Sequence, residues 1–402
     1  MTNSVNDAVK PAVKSETQTE FRAPEKVEAE LVTDQARLAE LADQWAKCDC
    51  IALDTEFVRT RTFRAIPGLV QVHDGENGYL IDPVAIPDFS DLVDLFENPS
   101  VTKILHASSE DLELFDQLLG MVPTPLFDTQ VAAAFLGKGF SLGYRGLIEQ
   151  QFGVSIPKEE TRSDWTKRPL TEAQLDYAVL DVVYLPEVYR RFTEALAEQG
   201  KQEWFEAEMT RVVEARSWIP DPDNAYLKIK TAWKLDPKGL ELLQRLAQWR
   251  EKKAVSENRP RSFILKDGQL MAIARMQPTR FQDIATIEDI HPAALKRYAD
   301  DILDMTRAAM ESSEVKALKA PLPPLKGQAS ACYKEFGKIV RSVAERIDIA
   351  SELIATRKDL EALISNYMGT SESPLPASLS GWKEPLIAEP LLECAERYLS
   401  PD

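Results

Sequence analysis

At 402 residues the chain exceeds one ordinary domain and points to two or three. A hydrophobic content of 44% supports sizeable cores, and the net charge of −17 argues against a uniformly polyanion-binding surface. No apolar run reaches membrane-spanning length and no secretory leader pattern opens the chain, while Cys48, Cys50, Cys332 and Cys394 make neither a disulfide framework nor a zinc ligand set. A cytoplasmic protein with no membrane contact is therefore expected.

Residues 1–28 read as a disordered tail, poor in bulky apolar side chains. A helix from Asp34 to about Lys47 precedes the apolar stretch Ile51–Val58, which reads as a buried strand. Leu69–Val72 and Tyr79–Ile81 flank the turn His73–Gly78 as a hairpin. A short helix is expected over Asp88–Glu97, a strand over Lys103–Ala107 and a helix over Ser108–Leu119. Asp128 caps a helix from Thr129 to Leu136, another covers Ser141–Phe152, and a long one runs from Thr171 to about Gln199 behind the capping box Thr171-Glu-Ala-Gln174. An antiparallel meander followed by alternating strand and helix makes this part α/β, a mixed sheet flanked by helices.

Beyond Arg211 the strand signals stop, and Pro220, Pro222 and Asn224 mark a linker. Asp236 and Pro237 open a helix, others follow at Asp267–Met276 and Pro292–Met310, and the proline-rich break 320–324 introduces a third, helical block. Phe263-Ile264, Leu270 and Ile273 recur as Leu353-Ile354, Leu360 and Leu363 at an offset of 90 residues, the mark of a repeated small helical unit. From Lys228 to Arg280, 13 Lys or Arg stand against 5 Asp or Glu. This basic island in an acidic chain suits a phosphate-binding surface, and equally a solvated helix face.

Four acids stand out. Asp54 and Glu56 lie on one face of the apolar strand, about 6.5–7 Å apart along it, where they need a cation or protons to persist. The competing reading is a strand end dipping into solvent. Asp111 opens a helix after a strand, where it serves either as a helix-start acid beside Ser108 or as a carboxylate delivered to the edge of the sheet. Asp181 sits amid Ala178, Val179, Leu180, Val182 and Val183, one turn after Tyr177, so it is a buried acid seeking a partner or part of a solvated stripe. If the four converge, cations must neutralise them. Ligation by oxygen alone suits two Mg2+ or Mn2+ ions, which activate water and stabilise a leaving oxygen on phosphorus, with Tyr177 placed to aim the water.

The stretches LDTEFVRTRTF, HASSEDLELF, FDTQVAAAFLG and DYAVLDVVYL resemble the exonuclease motifs of the ribonuclease D family, four-acid 3′→5′ exoribonucleases. The resemblance spans about residues 50–195, and the later helical blocks resemble the HRDC domains of that family. It implies an RNase H-like α/β exonuclease domain at 29–215, a first HRDC domain at 225–312 and an HRDC-like domain at 322–402. It also implies Asp54, Glu56, Asp111 and Asp181 as metal ligands, Asp54 shared between two ions, and Tyr177 as the tyrosine of the Tyr-x-x-x-Asp variant. The expected activity is stepwise release of nucleoside 5′-monophosphates from RNA 3′ ends, tRNA precursors among them. A DNA-directed exonuclease of the same fold and a non-catalytic RNA-binding scaffold are the rival readings.

Overall fold

The computed structural model describes residues 28–157, 163–216, 218, 220–312, 318–321, 323–369 and 373–400. The expected tail lies outside them, apart from residue 28. The first unit runs β1 (Ala29–Val32), α1 (Gln35–Trp45), β2 (Cys50–Val58), β3 (Ile66–His73), β4 (Gly78–Ile81), α2 (Val93–Glu97), β5 (Thr102–Leu105), α3 (Ser109–Leu119), β6 (Leu126–Asp128), α4 (Thr129–Phe135), α5 (Tyr144–Phe152), α6 (Glu172–Val183), α7 (Leu185–Glu198) and α8 (Gln202–Ala215).

The strands form one six-stranded mixed sheet in the order β1-β4-β3-β2-β5-β6. The β2–β3–β4 meander is antiparallel, whereas β1, β5 and β6 join in parallel. Leu69 and Leu80 turn one way, onto Ala178 and Val179 of α6 and onto Trp165. Val70, Val72 and Ile81 turn the other way into the main core. This period-two alternation fixes the register and places α6 over the face that carries Asp54 and Glu56, the cross-strand partners of Gln71 and Leu69. A register shift between Glu56 and Phe57 interrupts the ladder just after the second acid, and pairing resumes with Phe57 opposite Pro67.

The long helix expected from Thr171 to Gln199 is two. Tyr184 separates α6 from α7, and Pro186, which has no N–H and disfavours a helical residue before it, sits at the start of the second. The capping box at Thr171 is formed, with Gln174 N donating to Thr171 Oγ1 at 3.2 Å and Thr171 N to Gln174 Oε1 at 3.0 Å. The helix expected from Ser141 begins at Tyr144, and that expected from Asp88 is a short 3-10 turn leading into α2. The strand expected to reach Ala107 stops at Leu105, because Ala107 takes a left-handed φ of 58°.

The described residues beyond α8 form helices and the turns between them. The first block has α9 (Pro237–Ser256), α10 (Arg261–Ile264), α11 (Asp267–Met276), α12 (Phe281–Ala285) and α13 (Pro292–Glu311); the second has α14 (Gly327–Ile347), α15 (Ser351–Ile354), α16 (Arg357–Met368) and α17 (Glu384–Leu399). The starts Pro237, Arg261 and Asp267 recur at Gly327, Ser351 and Arg357, each 90 residues later, so the repeat in the sequence is a repeat of helices. The two blocks sit differently. The first closes its own core around Leu243, Leu246, Ile273 and Ile302. The second shares the core of the sheet unit. Trp382 stacks on Trp204 at 5.6 Å, and the buried Lys201 donates to the carbonyls of Phe135 at 2.9 Å and Asp348 at 2.7 Å. Cys332 and Cys394, distant in sequence, face each other across α14 and α17 as free thiols.

The basic island is less bare than its tally. Arg245, Arg250, Lys253, Arg259, Arg261, Lys266 and Arg280 each pair with a carboxylate, three of them with acids beyond the island: Asp301, Asp289 and Asp283. A window that stops at Arg280 leaves out Asp283 of α12, Asp289 of the loop after it and Asp301 of α13, which supply these partners.

Candidate active site

Each acid arrives on a separate element for a local reason. Asp54 and Glu56 are carried by β2, whose residues Ile51, Ala52 and Leu53 are fully buried. Asp111 is set by the turn between β5 and α3, and that turn is built around Asp128. The Asp128 carboxylate accepts from Ala107 N at 3.1 Å, Ser108 N at 2.8 Å and Ser108 Oγ at 2.8 Å, and also caps α4 through Gln130 N at 2.8 Å. Ser108 therefore spends its hydroxyl on Asp128 and does not cap α3, contrary to the helix-start reading. Asp111 instead accepts a hydrogen bond from Thr55 Oγ1, which ties α3 to β2. Asp181 and Tyr177 come down from α6, one turn apart and hydrogen-bonded to each other.

Asp54, Glu56, Asp111, Asp181 and Tyr177 all line one open pocket of about 430 Å³. The solvated-strand reading of the first pair and the solvated-stripe reading of Asp181 both give way to this convergence. His106, Glu110 and Tyr144 line the same pocket. Tyr144 donates its hydroxyl to Leu180 O at 2.6 Å, and His106 lies edge-on to it at 5.6 Å with Nδ1 2.8 Å from Thr129 Oγ1. Sequence reasoning missed these three and Arg145, which hydrogen-bonds Tyr177 and draws on the charge of Asp181. The signal for Arg145 was faint, a single basic residue two before Leu147 on a helix of mixed character.

The electrostatics of the pocket are those of crowded anions. Burial, then repulsion from Asp111, Asp181 and Glu56, raises the Asp54 carboxyl well above its ordinary range. Burial and the neighbouring Asp181 and Asp111 push Glu56 up to about 8. Burial takes Asp111 to about 7 despite the Thr55 hydrogen bond, and Asp181 to about 7 despite Tyr177 and Arg145. The Tyr177 phenol is raised too, by burial and then by Asp181 and Glu56. Water reaches these groups through the open mouth, yet protein crowds them from behind. Among the described residues no three Asp, Glu, His or Cys side chains already surround one point as a closed ligand set. The carboxylates share a cavity without meeting at its centre.

The geometry has relatives. Residues 29–197 match the 3′-5′ exonuclease family model, 239–306 the HRDC domain, and 330–391 the C-terminal HRDC domain of ribonuclease D. The chain is 39% identical to ribonuclease D of Pseudomonas paraeruginosa over 92% of its own length and 98% of the relative's. It is 34% identical to ribonuclease D of Escherichia coli, over 92% and 99%. The crystal structure of Escherichia coli RNase D, described as an exoribonuclease involved in structured RNA processing, superposes with a TM-score of 0.85 at 33% identity, covering 93% of this chain and 100% of that one. Matched in sequence, in all three units and in the fold that gathers its acids, the chain belongs to the ribonuclease D family and is a 3′→5′ exoribonuclease.

Proposed function

We propose that Asp54, Glu56, Asp111 and Asp181 hold two divalent cations, magnesium or manganese, and that Tyr177 positions the attacking water. The support is the donor set: four carboxylates in one pocket, all raised, with Arg145 the guanidinium felt by Asp181. Hard oxygen donors without thiolate or imidazole suit such ions, whose charge relieves the repulsion. Closing the set requires the carboxylates to rotate inward, for which a 430 Å³ cavity leaves room. When bound, the cations supply Lewis acidity at the scissile phosphate and lower the pKa of water.

The chain's own groups do the rest. The Tyr177 hydroxyl, held by Asp181 and Arg145, points its oxygen at the incoming water and restricts its approach to the line opposite the leaving oxygen. A new bond forms between water oxygen and the terminal phosphorus as the water gives up a proton to solvent, the bond to the 3′ oxygen of the preceding nucleotide breaks, and that oxygen takes up a proton from solvent. The products are a nucleoside 5′-monophosphate and an RNA one residue shorter. We assign cutting to residues 29–215 and part of substrate holding to the block 225–312, which carries the basic stretch Lys228–Arg280, with precursors of tRNA and other small structured RNAs as substrates.

The test is a Mg2+ and Mn2+ titration of mononucleotide release from a 3′-labelled RNA, wild type beside Asp54→Asn, with a matched DNA oligonucleotide as the sugar control. Release should saturate with metal in the wild type and fall on the order of a thousandfold in the variant. RNA binding without metal-dependent release would overturn the proposal.

A further inference from the structure

A second cleft, larger than the acidic pocket, lies beside the first helical block. A cavity of about 920 Å³ opens between the loop that follows β2 and helices α10 and α11 of the first helical block. Its lining takes up the same two elements, the end of β2 and helix α3, a few residues beyond those that line the acidic pocket. Arg59 lies three residues beyond Glu56, about 10 Å along an extended chain, and its ion-pair partner Glu113 lies two residues beyond Asp111 on α3. Two elements thus run continuously from the acids into the cleft.

The walls have a different chemistry from the pocket. Arg59, Lys228, Arg250, Arg261 and Lys266 line the cleft; four of them are paired with Glu113, Asp267, Glu251 and Asp289, and Lys228 has no ion-pair partner among the described residues. Aromatic side chains are interleaved with these cations. Phe263 is 45% exposed at the rim, and Phe63 carries the Arg261 guanidinium 4.8 Å above its ring. The cleft is also held open by design of the backbone: Asn258 Oδ1 accepts from Phe63 N at 3.1 Å and Arg64 N at 2.9 Å, pinning the β2–β3 loop to the end of α9. An exposed aromatic beside cations in an otherwise acidic chain is the arrangement that binds an unpaired polynucleotide, rings stacking on bases and cations tracking phosphates.

We infer that this cleft holds the single-stranded RNA segment on the 5′ side of the bond being cut, with Phe263 as a stacking platform and Lys228 as a phosphate contact. Its direction rests on the acidic pocket being the cutting site; its existence as an RNA site does not. A strand whose 3′ end lies among the acids leaves along β2 and α3 and enters the cleft directly. An apolar peptide would gain nothing from the Lys228 ammonium, and a duplex would present its bases to itself and leave Phe263 without a partner.

The experiment separates this site from the hydrolytic reading. Anisotropy of a 5′-fluorescent twelve-nucleotide RNA, blocked by a 3′-phosphate and kept in EDTA, reports binding by the full chain with no cleavage possible. Phe263→Ala should weaken binding by about tenfold. Lys228→Gln should lower the slope of log Kd against log salt by about 0.7, the share of one phosphate on a single strand. With unblocked RNA and metal, both variants should lose efficiency on the twelve-mer relative to a dinucleotide, which is too short to span from the acids to Phe263. Wild-type Kd and salt slope in both variants would overturn the inference, as would an unchanged ratio of twelve-mer to dinucleotide efficiency.

Discussion

Replacing Asp181 by Asn should make the metal-free protein more stable while removing its activity. An aspartate moved from 3.8 to about 7 bears about 4 kcal/mol against its charged form, at about 1.4 kcal/mol per tenfold. Water enters the pocket mouth and the relief is shared with Asp54 and Glu56, so about 1–2 kcal/mol is expected to appear. The sign follows from linkage. Because the folded-state value lies above the unfolded one, stability is fully present below pH 3.8 and is lost as pH rises to about 7. The gain of the Asn variant over wild type is thus smaller at pH 5 and levels off above about pH 7. Urea unfolding followed by tryptophan fluorescence, in EDTA at pH 5 and pH 8, measures it. Added Mg2+ should then reverse the order, since a cation at a hundred times its Kd stabilises the native wild type by about 2.7 kcal/mol. An Asp181→Asn protein no more stable than wild type at pH 8 in EDTA refutes the account of crowded anions.

Tyr177→Phe keeps the ring against Trp165, 6.1 Å away, and loses only the hydroxyl; kcat should fall about a hundredfold with KM little changed in steady-state assays. Asp128→Ala removes the acceptor of five hydrogen bonds, from Ala107 N, Ser108 N, Ser108 Oγ, Gln130 N and Val131 N, and should cost about 3 kcal/mol or more in urea unfolding while displacing Asp111. Gly68→Ala places a Cβ 2.5 Å from Trp165 Cβ, so a loss of about 1–3 kcal/mol and reduced activity through Tyr177 are expected together. Glu208→Leu strands the buried Lys383 ammonium 3.5 Å from the deleted carboxylate and should destabilise the protein by about 3–5 kcal/mol, most of it recovered by adding Lys383→Met.

What the sequence shows clearly is whatever a short window contains. Strand β2 announces itself because Leu53 and Phe57 flank acids that no apolar strand wants. Asp236 and Pro237 open α9 through local capping chemistry, Asp236 Oδ1 accepting from Gly239 N at 2.7 Å. Elements that exist only through pairing were missed. β1 and β6, four and three residues long, are held by parallel ladders to β4 and β5 and carry no periodicity of their own. α8 also went unread, although Phe205 and Met209 anchor it under the sheet. The break at Tyr184 was readable from Pro186 and was overridden by the apolar run around it. The docking of the second helical block was unreadable, because Lys201 finds Asp348 and Trp204 finds Trp382 only once the chain is folded.

The features that defy local rules converge on the site. Ala107 bears a Cβ in the left-handed region directly after β5 and is kept there by the Asp128 carboxylate accepting its N–H. Gln71, opposite Asp54 across the sheet, is fully buried with neither amide atom partnered by protein. Asp181 occupies the last turn of α6 beside Val179, Val182 and Val183, where the helix dipole and desolvation both oppose a carboxylate. A sequence selected for stability alone would place threonine or leucine at several of these positions and gain from each exchange. Their shared location around one cavity means that the strain is concentrated where anionic oxygens must be held ready, rather than distributed through the core. The three surrounding anchors, Asp128, Trp165 and the Arg168–Asp82 pair that ties the approach to α6 onto the sheet, are what the rest of the fold supplies to keep those oxygens in place.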